Sequence, residues 1–185
     1  MLEFDDIIHT YTLDGREIPS VTTLLSVIKY SKKYENIPPN ILEKAAERGT
    51  IVHQDIEAYC KFGIDSKTSQ VRHFKFLQKT YGFEVLENEL PTYYLGEVDF
   101  AGTIDLVLKI NDEIALADIK TTSILDKEYL AYQLNLYRLA YEQRTGQKVS
   151  KLYGIHIRED KRRFIPIPIN EEFATEILRK YKEVQ

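Results

Sequence analysis

The chain has 185 residues, 43% hydrophobic and 29% charged, with 13 Tyr and 8 Phe against 8 Gly and 6 Pro, which excludes a disordered chain and leads us to expect one domain over residues 1–185. The formal net charge of −4 argues against a protein that coats nucleic acid by bulk electrostatics, because such binding needs many Lys and Arg contacts to phosphate. No apolar run approaches the roughly 20 residues of a membrane helix, MLEFDDIIHT lacks the basic start and cleavage site of a signal peptide, and the single Cys60 permits neither an internal disulfide nor a cysteine-only zinc or iron–sulfur site.

A cytoplasmic protein is therefore expected, with Cys60 as an ordinary helix residue. Residues 7–12 and 16–19 flank Leu13-Asp14-Gly15, a hairpin signal. Ser20 precedes VTTLLSVI and reads as the N-cap of a short helix. From Pro39 to about Phe62 the positions Ile41, Leu42, Ala45, Ala46, Val52, Ile56 and Tyr59 follow helical spacing, closed by Gly63. A second helix is expected over about Ser69–Tyr81, stopped by Gly82. The runs FEVLENELPTYYL, FAGTIDLVLKI and EIALADIKTT are strand-like in composition. Residues 127–145 return to helix and end at Gly146; KLYGIHI and FIPIPI suggest two more strands, and Asn170 caps a final amphipathic helix. That order predicts an α/β fold, a mixed sheet flanked by helices.

Asn111-Asp112 links two strand-like runs, and a two-residue turn there pairs Ile110 with Glu113. Counting back sets Asp105 opposite Asp118, about 4.5–5.5 Å apart at Cβ, where like charges repel unless a cation bridges them. Lys120 projects from the same face as Asp118. The other face carries Ile104, Leu106, Leu108, Ala115, Ala117 and Ile119 and is expected to be the core. Phosphodiester hydrolysis needs charge stabilisation on phosphoryl oxygens, an activated water and a stabilised leaving group; one or two Mg²⁺ held by Asp105 and Asp118, with Lys120 orienting water or neutralising charge, answer that need. The plain alternative is a surface ion pair between Asp118 and Lys120. Two basic clusters, Arg72/Lys75/Lys79 and Arg158/Lys161/Arg162/Arg163, read either as solvated faces or as local holds on a nucleic-acid backbone.

At GTIDLV followed by ADIKTT the chain resembles the PD-(D/E)XK nucleases, whose signature is an acid on one strand and acid-x-Lys on the next; Asp105, Asp118 and Lys120 occupy those places. RGTIVH, residues 48–53, looks like the Gly-x-x-x-His motif of the RecB-like branch, and YQLNLY, residues 132–137, like its Gln-x-x-x-Tyr motif. The resemblance implies a restriction-endonuclease-like core, with the N-terminal hairpin and helices over 1–82 and the catalytic core over 83–185. It implies catalytic roles for Lys120, Asp118, Asp105, Gln133 and Tyr137, and a metal set of His53, Asp105, Asp118, Ile119 and a further acid, for which Glu89 is the candidate and Glu87 its rival. The metal is expected to be Mg²⁺ or Mn²⁺, the imidazole favouring Mn²⁺, with no iron–sulfur cluster. Nucleic-acid contacts are expected from Ser20, Arg48, Gly49, Gln133 and Tyr137. Ser20 sits in PSVTTLL, which resembles a segment of phage-type and mitochondrial members, although an N-cap explains it equally. Gly49 costs about 1 kcal/mol relative to Ala inside a helix, which close approach of another backbone or of DNA would justify. Asp99 reads as a turn residue near Gly96.

By resemblance the chain is a metal-dependent deoxyribonuclease leaving 5′-phosphate and 3′-hydroxyl ends, most like stand-alone phage recombination exonucleases. Its expected partner is DNA, with a separate helicase or single-strand annealing protein and a ring-shaped homo-oligomer by analogy. Rival readings are a nuclease-fold binding module without chemistry and a two-carboxylate hydrolase such as a glycosidase, which Lys120 fits poorly.

Overall fold

The structure is a computed structural model that describes residues 1–5, 10–28 and 37–185. Its elements in chain order are β1 (Leu2–Asp5), β2 (Thr10–Leu13), β3 (Arg16–Ile18), α1 (Val21–Leu25), α2 (Pro39–Phe62), α3 (Ser69–Tyr81), β4 (Glu84–Tyr94), β5 (Phe100–Ile110), β6 (Glu113–Lys120), α4 (Lys127–Thr145), β7 (Val149–Ile157), β8 (Arg162–Ile167) and α5 (Glu171–Glu183).

Local chemistry sets the boundaries. Asp14 and Gly15 adopt φ of 51° and 79°, the left-handed pair that a two-residue hairpin turn needs, and pair Leu13 with Arg16. Part of the expected strand at 7–12 lies outside the described residues, and β1, which pairs with β2, is an addition to the predicted elements. Ser20, Thr68, Asp126 and Asn170 each accept a backbone N–H at the start of a helix, while Gly63, Gly82 and Gly146 take left-handed conformations at helix ends, where a Cβ would be strained.

The five-stranded sheet runs β4-β5-β6-β7-β8. All its neighbours are antiparallel except β6 and β7, whose parallel pairing requires a crossover, supplied by α4. The protein is thus α/β, with a mixed central sheet flanked by helices. A smaller sheet, β1-β2-β3, joins β5 where Ala101 N–H donates to the Pro19 carbonyl at 3.0 Å.

Both faces of the large sheet are core, which corrects the expectation of one apolar and one chemical face. Leu106, Leu108, Ile110, Ala115, Ala117 and Ile119 pack with Val52 and Ile56 of α2 and Val71, Phe74 and Leu77 of α3. On the opposite side Ile104, Val107 and Leu116 pack with α1, α4 and α5. Ile104 therefore leaves the face predicted for it: the side-chain alternation of β5 slips between Ile104 and Leu106, at Asp105. The polar chemistry is confined to one end of the strands because α4 covers the rest. α2 also differs from its periodicity, since only Val52 and Ile56 are buried and Ile41 is 52% exposed; helical spacing defines a face but not whether anything covers it.

Candidate metal centre

Asn111 and Asp112 form the predicted turn, with φ of 50° and 64°, and Ile110 pairs with Glu113. The register then runs back to Leu106↔Ala117 and stops one step short of Asp105 and Asp118. There the Asp105 carboxylate replaces a main-chain acceptor and takes the Ile119 N–H at 2.7 Å. On the other edge of β5, Asn88 pairs with Leu106 and Leu90 with Ile104, while Glu89 between them is turned to φ 49°. A non-glycine residue in that region is held at a cost of order 1–3 kcal/mol. Asp105 thus sits at a gap in both ladders, and Glu89 is the acid facing it.

α2 supplies the third donor. His53 donates from Nε2 to the Ile119 carbonyl at 3.1 Å and from Nδ1 to Glu89 Oε1 at 3.2 Å, with Asp105 Oδ2 at 3.8 Å. His53, Glu89 and Asp105 each offer a ligand atom within 4.8 Å of the others. Burial disfavours the imidazolium, but Asp105, Glu89 and Asp118 outweigh it and raise the His53 pKa to about 9. A proton on His53 therefore balances part of the acid cluster.

Asp118 and Lys120 lie beside this group. The Lys120 ammonium is 2.9 Å from Asp118 Oδ1 in hydrogen-bonding geometry and 2.7 Å from Oδ2 outside it, which leaves the buried Oδ2 without a hydrogen-bond donor among the described residues. Burial, then the Asp105 charge, pushes the Asp118 carboxyl above the usual range despite Lys120. Lys120 itself stays ammonium, because Asp118 and Asp105 overcome its own burial.

From α4, Tyr137 reaches under the same residues. Its hydroxyl is held well above its usual pKa by burial and by Asp105 and Asp118, and Gln133 hydrogen-bonds to it. Gly102 makes room: a Cβ there would lie 2.7 Å from Tyr137 Cε1. Gln133 is not bonded to Lys120, and its buried Oε1 has no donor among the described residues.

A groove of about 440 Å³ opens beside His53 and Glu89, lined also by Gly49, Thr50, Gln54 and Glu57. The last three share the α2 face of His53 and are legible from their i, i+3 and i+4 spacing once that face is known. Tyr11 and Thr103 are a further addition. Their hydroxyls are 3.0 Å apart and Tyr11 feels the Glu89 charge, but a lone Tyr in a hairpin carries no prior signal. Other predicted residues lie apart. Ser20 caps α1 through Thr23 N–H at 3.0 Å and lines a different pocket, with Tyr11, Glu17 and Tyr181. Arg48 is exposed, donates back to the Lys44 carbonyl and does not line the groove. Among the described residues a Cβ on Gly49 would meet only Thr121 Oγ1 at 3.5 Å, so no described backbone crowds that glycine. Glu87 is exposed, does not join the His53, Glu89 and Asp105 group, and acts by its charge on Tyr141; Asp99 accepts the Gly96 N–H as a turn residue, and Cys60 is half-buried with its thiol pushed up to about 11 by burial.

The donors suit a divalent cation. Two carboxylates and an imidazole converge, Asp118 Oδ2 is buried without a donor among the described residues, and nearby oxygens include the Ile119 carbonyl; oxygen donors with one nitrogen match Mg²⁺ or Mn²⁺ better than softer metals.

Comparisons with known proteins agree with this chemistry. Residues 60–184 match the model of the PD-(D/E)XK nuclease superfamily. An ATP-dependent helicase/nuclease subunit of Clostridium acetobutylicum is 39% identical over 90 residues, which are 44% of this chain and 7% of that protein. The chain thus spans a small fraction of the relative it matches. The crystal structure of SSO0001 shares the fold, with a TM-score of 0.54 at 16% identity, over 94% of this chain and 79% of that one.

Proposed function

Since the chain belongs to the PD-(D/E)XK nuclease superfamily, we propose that residues 1–185 act as one metal-dependent nuclease domain that hydrolyses DNA phosphodiester bonds as an exonuclease in recombination or repair. The convergence of His53, Glu89 and Asp105 beside the buried Asp118–Lys120 pair carries this reading. In it, His53, Glu89, Asp105, Asp118 and the Ile119 carbonyl hold one or two Mg²⁺ or Mn²⁺ ions. When bound, such an ion polarises the phosphoryl oxygens and makes water a stronger nucleophile.

The protein's own groups supply the rest. Lys120, permanently ammonium, offsets charge that grows on the phosphoryl oxygens and orients the attacking water. Tyr137 keeps its proton beside two acids, with Gln133 hydrogen-bonded to its oxygen, and in this reading donates that proton's hydrogen bond to a phosphoryl oxygen. The Gly49–His53 face of α2 leaves the groove open for a strand to lie against the cluster. An exonuclease of the phage type, with a separate helicase or annealing partner, rests on the Gly-x-x-x-His and Gln-x-x-x-Tyr motifs and on the relative whose name joins helicase and nuclease.

End-labelled linear duplex and relaxed circular duplex, each incubated with Mg²⁺, Mn²⁺ or EDTA, test the proposal. Metal-dependent shortening of the linear substrate from its ends, with the circle spared, is expected. Cleavage of the circle would replace exonuclease with endonuclease, and no metal-dependent cleavage of either would overturn the reading.

A further inference from the structure

The nuclease reading accounts for one end of β6, but the neighbouring strands extend the same end of the sheet into a second charged surface. Lys120 pairs in register with His156 of β7, and His156 with Arg163 of β8. Register partners point to the same face, and strands lie about 4.8 Å apart, so Arg163 stands about 10 Å across the sheet from Lys120. His156 in the middle of this row is roofed over: it is 2% exposed and hydrogen-bonds from Nε2 to the Thr122 carbonyl at 2.7 Å. The row therefore runs from Lys120, largely buried and paired with Asp118, to the exposed Arg163 at its other end.

Arg163 belongs to the hairpin that joins β7 to β8. That hairpin turns tightly, Arg158 N–H donating to the Lys161 carbonyl at 2.8 Å, and is fixed to the body of the protein from below. His73 of α3 donates from Nδ1 to the Arg158 carbonyl at 2.9 Å, and the Arg162 guanidinium lies 3.9 Å from the centre of the Phe76 ring. The sequence places four cations in this segment against Glu159 and Asp160. Asp160 is 3.8 Å from Arg158, whereas Lys161 and the exposed Arg163 have no acidic partner among the described residues. A rigid, anchored tip with unneutralised cations suits a polyanion better than it suits solvent.

We propose, resting on the nuclease reading above, that the β7–β8 hairpin is a second phosphate-binding site, in which Arg158, Lys161 and Arg163 grip the DNA backbone after it passes over the loop at 121–124. Two cations about 10 Å apart lie within reach of neighbouring phosphates of one strand. Contacts of this kind set register and affinity and carry no base specificity.

The test uses the full chain, a fluorescently labelled 20-bp duplex and Ca²⁺, with anisotropy followed from 50 to 200 mM salt. The combined variant Arg158→Ala/Lys161→Ala/Arg163→Ala is expected to bind about 10- to 100-fold more weakly and to lower the slope of log K against log salt by 2–3, at about 0.9 per lost phosphate contact. Lys109→Ala/Lys148→Ala/Lys151→Ala removes the same charge from the opposite end of these strands and should leave the slope unchanged. Arg163→Lys should keep it, which separates charge from folding. A triple hairpin variant with wild-type affinity and slope, in a protein whose wild type binds and cleaves DNA, overturns the hairpin site alone. A wild type that neither binds nor cleaves DNA overturns it together with the nuclease reading.

Discussion

The β5–β6 hairpin carries the same pair of residue types at its two ends in opposite surroundings. At the turn, Lys109 and Asp112 lie 2.9 Å apart with side chains 42% and 90% exposed. At the open end, Lys120 and Asp118 lie 2.7 Å apart with side chains 26% and 2% exposed. The distances hardly differ, yet water screens the first pair and leaves it almost no energetic weight. The second must overcome desolvation, and it does so imperfectly, since the Asp118 carboxyl stays raised by its burial and by the Asp105 charge beside it. A pair selected for stability would resemble the one at the turn. The one at the open end makes sense as a site kept short of positive charge until a cation arrives.

Removing each pair in turn gives the widest separation between the two ends. Asp118→Asn or Lys120→Met should reduce metal-dependent DNA cleavage by at least about a hundredfold, the scale of losing one fixed charge-stabilising group. Lys120→Met should also destabilise the protein by about 3–5 kcal/mol, because a buried acid loses its partner. Asp112→Asn and Lys109→Met should change neither the cleavage rate nor the melting temperature. Equal effects at both ends, read by initial rates and by thermal denaturation, would erase the distinction.

The pH dependence sharpens it further. His53 titrates at about 9 in the folded protein against 6.5 in an unfolded chain, so its proton contributes stability that is complete below pH 6.5 and lost as the pH rises through 9. The melting temperature of metal-free protein should fall across that window, and His53→Ala should flatten the fall. Mn²⁺ should recover most of the loss at pH 9, because it takes the neutral imidazole and restores the missing positive charge. A metal-free melting temperature that rises between pH 6.5 and 9 would contradict the electrostatics described for the cluster. A smaller effect is expected at Gly102→Ala, where the added methyl meets Tyr137 at 2.7 Å: destabilisation of about 1–3 kcal/mol, together with a lower cleavage rate as the tyrosine is displaced.

These contrasts also mark where the sequence is readable. Asn111-Asp112 announces its turn because few residue pairs accept two positive φ values, and once the turn is known the approach of Asp105 to Asp118 follows by counting. Helix ends are readable for a similar reason, as Gly63, Gly82 and Gly146 sit where only a left-handed residue closes the helix. The failures share a cause too. Nothing local says that β5 breaks its pairing at Asp105, because that break depends on Ile119 offering its N–H to a side chain and on Glu89 accepting a strained backbone. Nor can spacing reveal that α4 buries the second sheet face, that Ile41 faces solvent, or that Tyr11 comes to lie beside Thr103. These are decided by which elements meet, a property of the whole chain.

The mildest change separates the groove from the cluster beneath it. Gly49 lies within α2, where Ala is better by about 1 kcal/mol, and among the described residues an added Cβ would touch only Thr121 Oγ1 at an ordinary 3.5 Å. On protein contacts alone Gly49→Ala should therefore stabilise the protein by about 0.5–1 kcal/mol. The glycine nevertheless lines the groove one turn before His53, so a methyl there narrows the space a strand would use without altering any donor. The expected signature is a higher melting temperature, unchanged Mn²⁺ affinity and a several-fold rise in KM with kcat nearly unaltered. If KM stays at the wild-type value while stability rises, DNA does not approach over this face of α2, and the groove beside His53 is solvent instead of substrate path.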